Sequence, residues 1–93
     1  MEKQVCARVI ISGKVQGVFF RIETQEAATR FGVCGWVRNQ VDGTVEALME
    51  GTRENVDALI AWCRKGAPRS RVDRVEVKWE PAAGQFNRFD ITY

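Results

Sequence analysis

Arg21 and Asn39 are the side chains best placed for chemistry in this chain, and what they can do follows from what the sequence lacks. It has no histidine, which excludes Ser-His and Cys-His nucleophile pairs, most zinc sites and the commonest general base. Its three cysteines, Cys6, Cys34 and Cys63, show no Cys-x-x-Cys spacing and read as buried thiols. Glu46, Glu50, Glu76 and Glu80 fall at strand spacings and read as a solvated face, not as a paired acid and base. An arginine stays protonated at every useful pH and can grip phosphate oxygens bidentately. An asparagine amide offers one carbonyl acceptor and two N–H donors, so it can hold a water by its proton while steadying a phosphate oxygen. Phosphoryl transfer through a loose transition state asks for positioning and charge stabilisation more than for proton removal, so such a pair can serve without a base.

Arg21 closes the stretch SGKVQGVFFR, residues 12–21. Loops are normally polar, yet this one holds two valines, two phenylalanines and two glycines. Gly13 and Gly17 permit positive φ, which lets successive backbone N–H groups of the loop curl into a nest at the start of a helix. The helix dipole and the unbonded first-turn amides favour an anion there. On this reading the apolar side chains pack beneath the loop and the backbone binds phosphate. Arg21 adds a charge-assisted contact, and Lys14 is a secondary steering charge. The Gln16 side chain has two readings, a substrate contact or a hydrogen bond that braces the loop. The bland readings are an ordinary strand-to-helix connection for the loop and, for Asn39, a turn former at the end of a strand.

The elements that must hold these residues are legible from periodicity. Val5–Ile11 is a β-branched strand, and IETQEAATRF predicts a helix over Ile22–Phe31, with Gly32 as its C-terminal cap. VCGWVRN and TVEALMEG form a hairpin through Asp42-Gly43. Thr52 caps a second helix that buries Val56, Leu59, Ile60 and Cys63, and Arg64, Lys65 and Gly66 end it. RVDRVEVKWE alternates Val75, Val77 and Trp79 with charged residues, and a short last strand places Phe89, Ile91 and Tyr93 on one face. Trp36, Trp62 and Trp79 read as core or edge packing. The order is βαββαβ, which gives an α+β, ferredoxin-like sandwich: a mainly antiparallel sheet with two helices on one face. This fold serves unrelated functions, so the site must decide.

Ninety-three residues, with 45% hydrophobic and 28% charged content, fit one domain, residues 1–93, with a thin core. The net charge of +2 argues against a general polyanion binder. No apolar stretch spans a bilayer, and MEKQVCARVIISG lacks the regions of a signal peptide, so a cytoplasmic protein without membrane association is expected.

Together the two stretches resemble the acylphosphatase family. VQGVFFR matches its loop signature V-Q-G-V-x-[FY]-R at Val15, Gln16, Gly17, Val18, Phe20 and Arg21. GWVRNQVDGTV matches its hairpin signature at Gly35, Trp36, Val37, Asn39, Asp42, Gly43 and Val45. The resemblance covers nearly the whole chain and implies the same ferredoxin-like fold. It implies hydrolysis of a small-molecule acyl phosphate to a carboxylate and inorganic phosphate, with no metal or organic cofactor. Arg21 and the backbone of Val15–Phe20, Phe19 included, would hold the phosphoryl group, and Asn39 would orient the attacking water. Free phosphate, as product, should compete, and a monomer is expected. Two rival functions share this architecture. An RNA-recognition domain stacks bases on aromatics of its third strand, but TVEALMEG has none and carries Glu46 and Glu50, so no nucleic-acid partner is expected. A non-catalytic anion-binding module would keep the loop but has no use for a water-positioning amide.

Overall fold

The computed structural model describes residues 3–92. The elements run in the order β1 (Gln4–Lys14), α1 (Phe20–Phe31), β2 (Cys34–Asn39), β3 (Val45–Thr52), α2 (Arg53–Lys65), β4 (Arg71–Glu80) and β5 (Phe89–Ile91). The sheet order is β4-β1-β3-β2-β5, antiparallel throughout except for the β2–β5 pair. Both helices cover one face, giving the ferredoxin-like sandwich read from the sequence.

The period-two pattern explains that face. Ala7, Val9, Ile11, Val37, Val45, Ala47 and Met49 alternate toward the helices and are fully buried. They meet Ala27 and Ala28 of α1 and Val56, Leu59 and Cys63 of α2. Thr52 caps α2 as expected, its hydroxyl accepting from the Asn55 amide at 3.2 Å. Gly32 ends α1, its N–H donating to the Thr29 carbonyl.

Four expectations need correction. First, β1 runs on to Lys14 instead of stopping at Ile11, because a bulge at Ser12/Gly13 carries its pairing with β4 past the irregularity. A Cβ on Gly13 would lie 2.1 Å from the Arg71 carbonyl oxygen, so only glycine admits this close approach. Second, α1 begins at Phe20, not Ile22. Burial of the Phe20 ring, which lies 5.8 Å from the Trp62 ring, anchors the first turn against α2.

Third, the open face of the sheet is not a uniformly solvated row of carboxylates. Glu76 is exposed and Glu80 half-buried, but Glu46 and Glu50 are buried at 6% and 5% exposure. Glu46 sits between two guanidinium groups, 3.0 Å from Arg8 and 2.7 Å from Arg38. Arg8 also binds Glu80 at 2.7 Å, and both arginines lie over the Trp36 ring. Glu50 accepts backbone N–H bonds from Ala83 at 2.9 Å and Gly84 at 3.3 Å, tying the segment before β5 to the sheet. Long cationic side chains and a crossing segment therefore cover these carboxylates, which alternation alone does not reveal.

Fourth, Cys6 and Cys63 are buried but Cys34 is only half-buried. Trp62 packs against the core, and Trp79 lies at the edge of the sheet under the Arg53 guanidinium, 4.1 Å from the ring centroid. Phe89 is buried and Ile91 half-buried beside β2, while Tyr93 lies outside the described residues.

Candidate active site

Where β1 turns into α1, a recess of about 280 Å³ is lined by Val15, Gly17, Phe19, Phe20, Arg21, Ile22 and Asn39. It brings Arg21 of the first helical turn together with Asn39 at the end of β2, eighteen positions apart in sequence. The loop that joins β1 to α1 turns on two left-handed residues, Gly17 and Phe19. Gly17 has φ 73° and a Cβ there would meet nothing within 4 Å, so the backbone conformation alone requires glycine. Phe19 follows at φ 62° and stands as the N-cap of α1 with no side-chain cap bond. A left-handed conformation in a residue with a side chain costs about 1–2 kcal/mol, and such strain persists only where its surroundings impose it. Its neighbours Val15, Val18 and Phe20 are buried, each to 9% exposure or less.

The first intrahelical bond runs from the Glu23 amide to the Phe19 carbonyl at 3.0 Å. The amides ahead of Glu23 thus lie before the helix ladder begins, at the positive end of its dipole. Residues of the helix start, Arg21 among them, thus line the recess; helix-start amides and a guanidinium are the kinds of group that favour an anion.

One loop residue departs from the expected packing. The ring of Phe19 does not pack beneath the loop: it is 59% exposed at the recess, because the left-handed backbone turns it away from the core. Gln16 and Val18 do not line the recess; Val18 is buried under the loop, and the Gln16 side chain turns to the β2–β3 hairpin. Its amide nitrogen donates to the carbonyls of Gln40 and Thr44, both at 2.8 Å. Of its two readings, the side chain takes the bracing one.

That brace continues through the turn. The Gln40 side-chain amide donates to the Thr44 hydroxyl at 2.9 Å, and the Thr44 hydroxyl and N–H donate to the Asp42 carboxylate at 2.7 and 3.0 Å. The Thr44 hydroxyl bond, followed by the backbone N–H bond, holds the Asp42 carboxyl below its ordinary value. The network ties the hairpin that follows Asn39 to the loop that precedes Arg21. Thr44 went unrecognised in the sequence; its signal is its place two residues after Asp42, where an Asx-type turn puts its donors.

Asn39 carries the sharpest single feature. Its Oδ1 is buried and has no hydrogen-bond partner among the described residues. A buried acceptor left without a donor costs about 1–3 kcal/mol.

A ferredoxin-like α+β protein with an anion-type recess at its first strand-to-helix loop is the class that fold and site define. Within that class the chain belongs to the acylphosphatase family, whose model matches residues 7–91. It is 49% identical over 87 residues to an acylphosphatase of Pelotomaculum thermopropionicum, covering 94% of this chain and 95% of that one. It is 55% identical over 87 residues to an acylphosphatase of Syntrophobacter fumaroxidans, covering 94% and 90%. The crystal structure of acylphosphatase from Bacillus subtilis superposes with a TM-score of 0.92 at 35% identity, covering 96% of this chain and 99% of that one. Family membership makes the chain a hydrolase of acyl phosphates.

Proposed function

We propose that Arg21 and the loop amides from Val15 to Phe20 bind the phosphoryl group of an acyl phosphate, and that Asn39 orients the water that attacks it. The orphaned, buried Oδ1 of Asn39 beside Arg21 in one recess is the observation that supports this reading best. A water seated there donates one O–H hydrogen bond to Oδ1 and directs an oxygen lone pair at phosphorus. As the bond from phosphorus to the acyl oxygen breaks, charge on the phosphoryl oxygens is met by the guanidinium and by fixed amide dipoles that need no reorganisation. The carboxylate leaves, and the water's proton passes to an oxygen of the phosphate product. An acyl phosphate is already activated, so a few preorganised contacts remove enough of the barrier.

The substrate is a small molecule, inorganic phosphate is the product and competes for the cradle, and the protein works in the cytoplasm as a monomer without a cofactor. Turnover of a chromogenic aromatic acyl phosphate by purified protein, with inorganic phosphate as competitive inhibitor, tests this reading. Phosphate binding without turnover would leave an anion-binding module instead.

A further inference from the structure

The segment between α2 and β4 brings a second guanidinium to the recess. Residues Ala67, Pro68, Arg69 and Ser70 form a turn in which the Ser70 N–H and hydroxyl both donate to the Ala67 carbonyl, at 3.0 and 2.8 Å. Proline suits the second position of such a turn, and Ala67 is buried, so Arg69 stands exposed at a braced corner. Gly66 enters the turn at φ 84°, where a Cβ would lie 2.6 Å from the Ser70 hydroxyl oxygen. From that corner the Arg69 guanidinium reaches the Phe19 ring, 5.8 Å from its centroid, and Phe19 lines the recess with Arg21 and Asn39. Arg8, Arg38, Arg53, Arg71, Arg74 and Arg88 each pair with a carboxylate within 3.2 Å. Among the described residues Arg69 makes no ion pair. An aromatic face holds a guanidinium without neutralising it, so a full positive charge stays beside the recess.

We propose that Arg69 is an electrostatic guide for the dianionic phosphoryl group: it raises the population of the anion at the recess and takes no part in the chemistry. The inference rests on the phosphate binding and hydrolysis proposed above. A concave site with low-dielectric walls focuses the field of a nearby charge. Val15, Phe19, Phe20 and Ile22 give this recess such walls. A unit charge within about 8 Å of a dianion in water raises the local population of that dianion about fivefold. The attraction depends on charge and not on the bond that breaks, so substrate and inorganic phosphate feel it alike. Its loss should therefore raise KM and weaken phosphate binding together while kcat stays unchanged.

The test measures benzoyl phosphate turnover and, by calorimetry, the Kd of inorganic phosphate for the wild type, Arg69→Gln, Arg69→Lys and Arg30→Gln. Arg30 is the matched control: its guanidinium also lies over a ring, 5.1 Å from the centroid of Phe31, but in the last turn of α1 and outside the lining of the recess. In about 0.01 M salt, where the Debye length is about 30 Å, Arg69→Gln is expected to raise KM and Kd about fivefold with kcat unmoved. In about 1 M salt, where that length is about 3 Å, its difference from the wild type should vanish. Arg69→Lys should keep the wild-type values at both salt concentrations, and Arg30→Gln should move them far less than Arg69→Gln does. Wild-type values in Arg69→Gln at low salt overturn the proposal. So does a defect that survives high salt, that Arg69→Lys shares, that Arg30→Gln matches or that falls on kcat. Failure of the wild type to turn over benzoyl phosphate overturns the hydrolytic assignment alone, because the Kd of phosphate still decides the role of Arg69. Failure of the wild type to bind phosphate overturns both.

Discussion

Arg21 and Asn39 divide the work between charge and geometry, and they should fail in different ways. Removing one preorganised charge-stabilising donor typically costs about 10²–10³-fold in rate, and Arg21→Ala is expected to lose at least that much kcat/KM while its circular dichroism spectrum stays native. Asn39→Ala should lower kcat with little change in the inhibition constant of inorganic phosphate, because orienting water matters chiefly in the transition state. Equal losses in both quantities would assign Asn39 to ground-state phosphate binding. Both residues could be named from the sequence because their types and the stretches around them are distinctive. The orphaned Oδ1 of Asn39 could not, since it depends on which donors the hairpin leaves out of reach. Nor could the outward ring of Phe19: side-chain type predicts burial, and only the backbone angle at that residue reverses it.

At the scale of the element, the site is a loop and a hairpin held in register by one amide side chain. Gln16 bridges the carbonyls of Gln40 and Thr44, so the loop that precedes Arg21 is tied to the hairpin that follows Asn39. Gly17→Ala isolates the backbone contribution. The added methyl meets no atom within 4 Å, so the whole effect is the left-handed φ, worth about 1 kcal/mol of stability. Urea unfolding should show that loss, and kcat/KM should fall beyond it because the loop relaxes away from the geometry that aims its amides. A variant with the stability loss and unchanged turnover would mean that the amides tolerate misalignment and do not form the cradle. The helix and strand periodicities are plain in the sequence, whereas periodicity places the start of α1 two residues late. A helix that opens on a left-handed residue with no side-chain cap carries none of the usual N-terminal signals.

Across the whole molecule, the helix-facing side of the sheet follows from alternation, while the open face depends on pairings between strands distant in sequence. Glu46, alternating like an exposed residue, is buried because Arg8 and Arg38 arrive from the two neighbouring strands. Glu46→Ala should therefore destabilise the fold by about 1.5–3 kcal/mol in urea unfolding, the range for hydrogen bonds to charged groups, with turnover of the remaining folded protein intact. Burial pushes the Cys63 thiol up to about 12 from its ordinary 9.0. Between those values the unfolded chain releases a proton that the folded chain retains, so stability should fall with rising pH by about 1.4 kcal/mol per unit from this group. Cys63→Ser should flatten that decline in thermal melts taken at successive alkaline pH values. On the acid side the hydrogen bond from Arg8 holds the Glu80 carboxyl below its usual value, so its contribution is complete above the ordinary carboxylate range and is lost as the pH falls through the lowered value. The central claim is that recess, arginine and carboxamide act on phosphorus. Hydrolysis of benzoyl phosphate in isotopically labelled water tests it most directly: the label is predicted in the inorganic phosphate, and its appearance in benzoate would place the attack at the carbonyl carbon and contradict the account.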